Sequence, residues 1–244
     1  MTFANCECAA HRARSVLTFS HNVVRRGGLL IINFLTGDAS NDASDGPATW
    51  ATLTSNLFYN NGRALQAAGG ERGTDGGTMT LDMSGNVFRN NGINFRGIGG
   101  GPVVQTMTVG NRLIVTSEFD TFGEAFSNVF LISGAGADET ADDPQDNLIE
   151  AEFRHSHFIR DFVDTPAEIS IIGGSGSHNR AEVLIRGATV KTSEGVRLRG
   201  GLLIQSKLEP GIGTSEARLE GSRSDFIEKN QGLPAPSEHF FLEH

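Results

Sequence analysis

Three stretches of the chain repeat one alternation of apolar and polar residues: LTFSHNVVRRGG (17–28), ATLTSNLFYNNG (51–62) and LDMSGNVFRNNG (81–92). Taking the last apolar residue of each strand as an anchor gives Val24, Phe58 and Phe88. Weaker copies follow at Phe119, Phe158, Val190 and Phe226. Five residues before the anchors stand Phe19, Leu53, Met83, Ile114, Phe153 and Ile185, and only Gly221 breaks the column. Seven before stand Leu17, Ala51, Leu81, Ala151, Val183 and Leu219, with Arg112 the exception. Alternation of this kind is the period of a strand with one buried face.

Successive anchors lie 34, 30, 31, 39, 32 and 36 residues apart. A regular strand motif with irregular spacing is what one coil per repeat produces, because strands must stack while loops can bulge outward. A Gly or Asn turn follows most anchors (Gly27, Asn61-Gly62, Asn91-Gly92, Gly123, Gly195, Gly232). A second short apolar strand often comes next, such as Leu29-Leu30-Ile31 or Leu202-Leu203-Ile204. Helical repeats are excluded by the missing helical period. A propeller needs about four strands per 40 residues, and this spacing leaves room for two or three. The expected fold is therefore all-β, a single-stranded right-handed parallel β-helix (solenoid) of about seven coils.

Residues 15–232 form the β-helix in this reading. Residues 1–14 make an N-terminal cap with room for a short helix, and 233–241 make a C-terminal cap. Both ends need one, since bare strand edges invite aggregation. Leu242-Glu243-His244 read as the stub of a vector-encoded histidine tag.

Asn22, Asn56 and Asn86 recur two residues before their anchors. Stacked asparagines can hydrogen-bond along the coil axis, as they do in a cross-β stack. With the Asn-Asn-Gly turns and the coil length, this column makes the chain resemble the pectin-lyase-like superfamily. The Phe58-to-Asn61, Phe88-to-Asn91, Gly27-to-Leu30 and Gly200-to-Leu203 segments are also similar to elements of autotransporter passenger domains. Both likenesses imply architecture, and neither motif is specific for an activity. They carry over no catalytic residue, because the short motifs of polygalacturonases and pectate lyases are missing.

Composition narrows the partners. The 31 glycines mark many turns with positive φ. A net charge of −9 opposes binding to nucleic acid or an anionic membrane. No stretch approaches the roughly 18 apolar residues of a membrane span, so membrane insertion is not expected. The fold class suggests an extracellular or periplasmic protein, although the N-terminal residues hold no apolar signal-peptide core. Cys6 and Cys8, at i and i+2, point to opposite faces of an extended chain and make a poor zinc site.

Two charged clusters carry candidate chemistry. Glu152, Arg154, His155, His157 and Arg186 form a patch on coils five to seven, where a carboxylate, an imidazole and a guanidinium would suit a lyase or hydrolase acting on a uronic-acid polymer. The same residues also suit surface ion pairs between coils. Asp38, Asp42 and Asp45 in one loop, and Asp138, Asp142 and Asp143 in another, supply hard oxygens for calcium, although no EF-hand spacing is present. Trp50 and Tyr59 are the two polar-edged aromatic candidates for stacking on sugar rings. The favoured reading is a module that binds an extended polysaccharide or is displayed on a surface. A polysaccharide lyase or hydrolase using the charged patch is the first alternative, and a structural or passenger domain without a small-molecule ligand is the second.

Overall fold

The computed structural model describes residues 2–4, 14–27, 32–35, 46–70, 75–100, 108–125, 127–134, 145–160, 169–172, 178–186, 189–192, 202–205, 216–222 and 240–243. It is a parallel β-solenoid built from three sheets that run its length. Sheet 1 stacks Arg14–Ser20, Ala48–Thr54, Thr78–Ser84, Arg112–Glu118, Leu148–Arg154, Arg180–Arg186 and Glu216–Ser222, followed by Phe240–Glu243. Sheet 2 stacks Val23–Arg25, Leu57–Tyr59, Val87–Arg89, Thr121–Gly123, His157–Arg160 and Thr189–Thr192. Sheet 3 stacks Thr2–Ala4, Ile32–Leu35, Arg63–Gly70, Ile93–Gly100, Ser127–Ile132, Ile169–Ile172 and Leu202–Gln205. The chain passes from sheet 1 to sheet 2 to sheet 3 and then climbs to the next rung, the right-handed crossover that twisted parallel strands favour.

Each corner is built from a residue in the left-handed region followed by a buried residue. At the first corner the left-handed column is His21, Ser55, Gly85, Phe119 and His155, with φ between 50° and 63°. Behind it run Asn22, Asn56 and Asn86. Asn56 donates both its backbone N–H (3.0 Å) and its side-chain Nδ2–H (2.9 Å) to Asn86 Oδ1. Asn22 does the same to Asn56, at 2.9 and 3.2 Å. A second ladder joins Asn61 to Asn91, both donors lying at 2.9 Å from Asn91 Oδ1. The third corner carries Asn111, Asn147 and Asn179. Gly100 faces this third ladder from inside the coil, where a Cβ would overlap the Asn147 amide. The ladders satisfy the amides that a turning chain cannot pair in a sheet, which is why polar side chains are tolerated inside the rod.

The core between the sheets is layered. Phe58, Phe88, Phe122 and Phe158, one from each of four successive rungs of sheet 2, stack with centroids 4.7, 5.1 and 5.3 Å apart and nearly parallel rings. Opposite them sit Leu53, Met83, Phe153 and Ile185 from sheet 1, and Leu65, Phe95, Val129 and Ile171 from sheet 3, all buried.

The fourth rung departs from the sequence expectation. Phe122, not Phe119, pairs with Phe88 and Phe158 and enters the stack. Phe119 stands three residues earlier, at the first corner, with φ 55° and 57% exposed. The register then puts Val115 and Ser117 in the inward columns with Leu81 and Met83. Ile114, expected inside, faces outward beside Thr80 and Glu150. Leu29-Leu30-Ile31, expected as a second apolar strand, lie outside the described residues, and Ile32–Leu35 just after them is a strand of sheet 3. At the N-terminus Thr2–Ala4 is a strand paired with Asn33–Leu35, so the described part of the expected cap extends sheet 3 rather than forming a helix. Phe240–Glu243 likewise extends sheet 1 against Leu219–Ser222.

Candidate functional site

Strand alternation turns every second side chain of sheet 2 outward. The first outward column is Val23, Leu57, Val87, Thr121 and His157, and the second begins Arg25, Tyr59 and Arg89. Between the columns lies a groove of about 480 Å³ whose floor is Val23, Leu57 and Val87 and whose far wall is Tyr59, Asn60, Arg89, Asn90 and Glu124. Val23 alone is 63% exposed, a high figure for a branched aliphatic on a sheet face.

The polar wall is tied across rungs. Arg25 Nη1 donates to the Tyr59 hydroxyl at 3.0 Å, which ties the phenol to the neighbouring rung. Asn90 Nδ2 donates to Asn60 Oδ1 at 2.5 Å, both residues being left-handed at the second corner. Arg89 clasps Glu124 through Nη2–Oε1 (2.7 Å) and Nε–Oε2 (3.1 Å), a bidentate geometry that holds both planes flat. The wall therefore offers planar amide and guanidinium edges and one aromatic ring above an apolar floor.

The charged patch expected from the sequence is divided by the fold. Glu152, Arg154 and Arg186 meet on the outer face of sheet 1. Arg154 Nη2 lies 2.5 Å from Glu152 Oε2, and Arg186 Nε lies 3.7 Å from Glu152 Oε1. The Arg154 hydrogen bond, helped by the charges of Arg154 and Arg186, holds the Glu152 carboxyl below the usual carboxylate range. His155 sits at the first corner, stacked on Phe119 at 5.2 Å. His157 belongs to sheet 2, between Thr121 and Thr189. Two further ion pairs, Arg112–Glu150 and Arg180–Glu182, border a shallow groove of about 310 Å³ floored by Ile114, Thr116 and Leu184. The structure thus brings together the carboxylate and the two guanidinium groups but sends the imidazoles to the corner and to the next sheet.

The calcium candidates Asp38, Asp42, Asp45, Asp138, Asp142 and Asp143 lie outside the described residues, as do Cys6 and Cys8. Among the described residues no group of three or more His, Cys, Asp or Glu side chains is placed to hold a metal ion. Trp50 is 39% exposed on sheet 1, between Val16 and Thr80, on a different face from Tyr59. Sequence reasoning found Tyr59 but not its partners. Arg25, Asn60, Arg89, Asn90 and Glu124 come together only once the rungs are in register, and only the Asn-Asn-Gly repeat hinted that two of them stack.

Comparison with protein-family models, with curated proteins and with solved structures finds no match. The reading of this chain rests on its own geometry.

Proposed function

We propose that this β-helix is a binding module that takes an extended carbohydrate along the outer face of sheet 2. The observation that carries the reading is the Tyr59 groove, which spans three rungs and joins an apolar floor to an aromatic face and a wall of planar polar groups. A sugar ring has the same two-sided character, with C–H faces and a hydroxyl rim. Aromatic rings take the faces, while amide and guanidinium groups take the rim. Three rungs at about 4.8 Å each give the groove a length that suits two or three sugar units. The net charge of −9, with Arg89 engaged by Glu124 and Arg25 by Tyr59, favours a neutral polymer over a polyanion. The resemblance to pectin-lyase-like proteins agrees with a carbohydrate ligand by analogy of architecture only.

Migration of the protein through gels containing embedded polysaccharides tests the reading. Retardation by at least one neutral glycan, relieved by the soluble oligosaccharide, is the expected result. Unretarded migration through every neutral and uronic-acid polymer would leave a surface or passenger scaffold instead.

A further inference from the structure

Arg14–Ser20 and Val23–Arg25 are the first strands of sheets 1 and 2, and among the described residues each has a neighbouring strand on one side only. Sheet 3 starts one rung lower, with Thr2–Ala4 beneath Ile32–Leu35. The described rod therefore ends in a step, where two open strand edges meet at Asn22. An open edge presents a row of backbone donors and acceptors to an added strand. The core is open there as well. Leu17, Phe19 and Val24 pack on it but stay only partly buried, whereas Ala51, Leu53 and Phe58 one rung higher are buried.

Asn22 specifies what fits the step. On each higher rung the ladder asparagine accepts two hydrogen bonds at Oδ1 from the rung below and returns its Nδ2–H to a carbonyl of that rung. Asn56 Oδ1 accepts from Asn22, and Asn56 Nδ2 donates to the Phe19 carbonyl at 2.8 Å. Asn86 repeats both bonds, with Asn56 and with the Leu53 carbonyl. Among the described residues Asn22 Oδ1 accepts no hydrogen bond, and its Nδ2–H turns back to the Ser20 carbonyl of its own strand at 2.8 Å. The Val23 N–H corresponds to the Leu57 N–H, which donates downward to the Asn22 carbonyl at 2.8 Å, so it too faces off the end of the rod. These groups match an extended strand that ends in an asparagine corner. The charge of that strand is set by its surroundings. Arg14, His21, Arg25 and Arg26 ring the step, and residues 14–27 hold no Asp or Glu in a chain of net charge −9. Arg14, His21 and Arg26 make no ion pair among the described residues.

We infer that this step is a docking site for an acidic strand of a partner protein, added in parallel to sheets 1 and 2 as one further rung. Its inward apolar residues cover Leu17, Phe19 and Val24. Its asparagine supplies the two donors that Asn22 Oδ1 takes, and its outward carboxylates face the arginine collar. The site lies at the end of the rod and does not depend on what the sheet 2 groove holds.

The test is fluorescence anisotropy of the full chain with labelled synthetic peptides of the sequence of residues 78–89. That segment has the pattern of a rung, and the strand register sets its Thr78 position under Arg14 and its Arg89 position under Arg25. An acidic peptide carries Thr78→Glu and Arg89→Glu, and a basic one carries Thr78→Lys and Arg89→Lys. A third adds Asn86→Ala to the acidic peptide. The acidic peptide is expected to bind at least about tenfold tighter than the basic one, and to lose about tenfold with Asn86→Ala. Arg14→Glu in the protein should narrow the preference between the first two peptides without moving the melting temperature. Absence of saturable binding, or equal binding of all three peptides, overturns the site. Binding that follows charge but ignores Asn86→Ala overturns strand addition. Self-association of the protein that the acidic peptide does not dissolve overturns the acidic partner in favour of a second copy of this chain.

Discussion

Ser117 donates its hydroxyl to Asp120 Oδ2 at 2.7 Å and lies 3.1 Å from the buried Ser156 hydroxyl of the next rung. Asp120 holds the place in the first ladder that Asn22, Asn56 and Asn86 hold below it. Its Oδ1 accepts the Asn86 N–H at 2.6 Å and the Asn86 Nδ2–H at 2.9 Å. A carboxylate can accept from below as asparagine does, but it cannot donate onward. The inward column Leu53, Met83, Ser117, Phe153 switches to a hydroxyl at the rung that needs a donor. Burial pushes the Asp120 carboxyl up to about 6, against the hydrogen bonds from Ser117 and Asn86.

A pH dependence follows, with a definite sign. The folded chain holds the Asp120 proton more tightly than the unfolded chain, whose carboxyl titrates near 3.8. The stability supplied by protonated Asp120 is complete below that value and is lost as pH rises through about 6. At 1.36 kcal/mol per unit, ionisation in place costs up to about 3 kcal/mol. Asp120→Asn, which can donate as Asn86 donates to the Leu53 carbonyl, is therefore expected to be more stable than the wild type at pH 7.5. The gap should narrow on acidification to pH 4. Urea unfolding of both proteins at the two pH values checks it, and a gap that widens in acid would refute the assignment.

The phenylalanine stack predicts a steep core penalty. Phe88 is buried between Phe58 and Phe122. Phe88→Ala removes two stacked contacts and leaves a cavity, so a loss of about 3–5 kcal/mol is expected in chemical denaturation. A Phe119→Ala change at the exposed corner should lose far less, although both residues lie in sequence segments of the same type.

The third ladder makes a sharper distinction between packing and hydrogen bonding. Asn147 Oδ1 accepts both the backbone N–H and the Nδ2–H of Asn111 at 3.0 Å. Asn147→Ala strands two buried donors, an expected loss of about 2–4 kcal/mol. Gly100→Ala should also destabilise, because its methyl group displaces the Asn147 amide. Thermal melts that leave either variant at the wild-type temperature would contradict the ladder.

Outer-face ion pairs should behave oppositely. Arg112 and Glu150 are both substantially exposed. Arg112→Ala is expected to change stability by less than about 1 kcal/mol, and by less still in high salt. Equilibrium unfolding with and without 1 M salt checks it.

Much of this fold was legible because sheet 2 and the first corner repeat visibly. Phe58 and Phe88 follow Asn56 and Asn86 at the same distance, and their spacing alone sets the rung length. The fourth rung was misread for a physical reason. Ser117 occupies an inward position, so hydrophobic matching preferred Ile114 and Phe119 over Val115 and Phe122. The polar residue that defeats the pattern is the one that Asp120 requires. Asn111, Asn147 and Asn179 were missed because they follow loops of unequal length, which hide a column that only the stacked rungs align. The site was half visible: Tyr59 stood out by type, but its groove is assembled from rungs about 30 residues apart, and no local motif encodes that.

The carbohydrate reading meets its most direct check in the affinity of Tyr59→Ala beside Trp50→Ala, measured by calorimetry with the polysaccharide that retards the wild type most. Tyr59 lies in the sheet 2 groove, and Trp50 lies on sheet 1. Loss of at least tenfold in affinity for Tyr59→Ala, with Trp50→Ala unchanged, is the predicted result. Binding that survives Tyr59→Ala, or that fails only in Trp50→Ala, would contradict the groove on sheet 2 as the binding face.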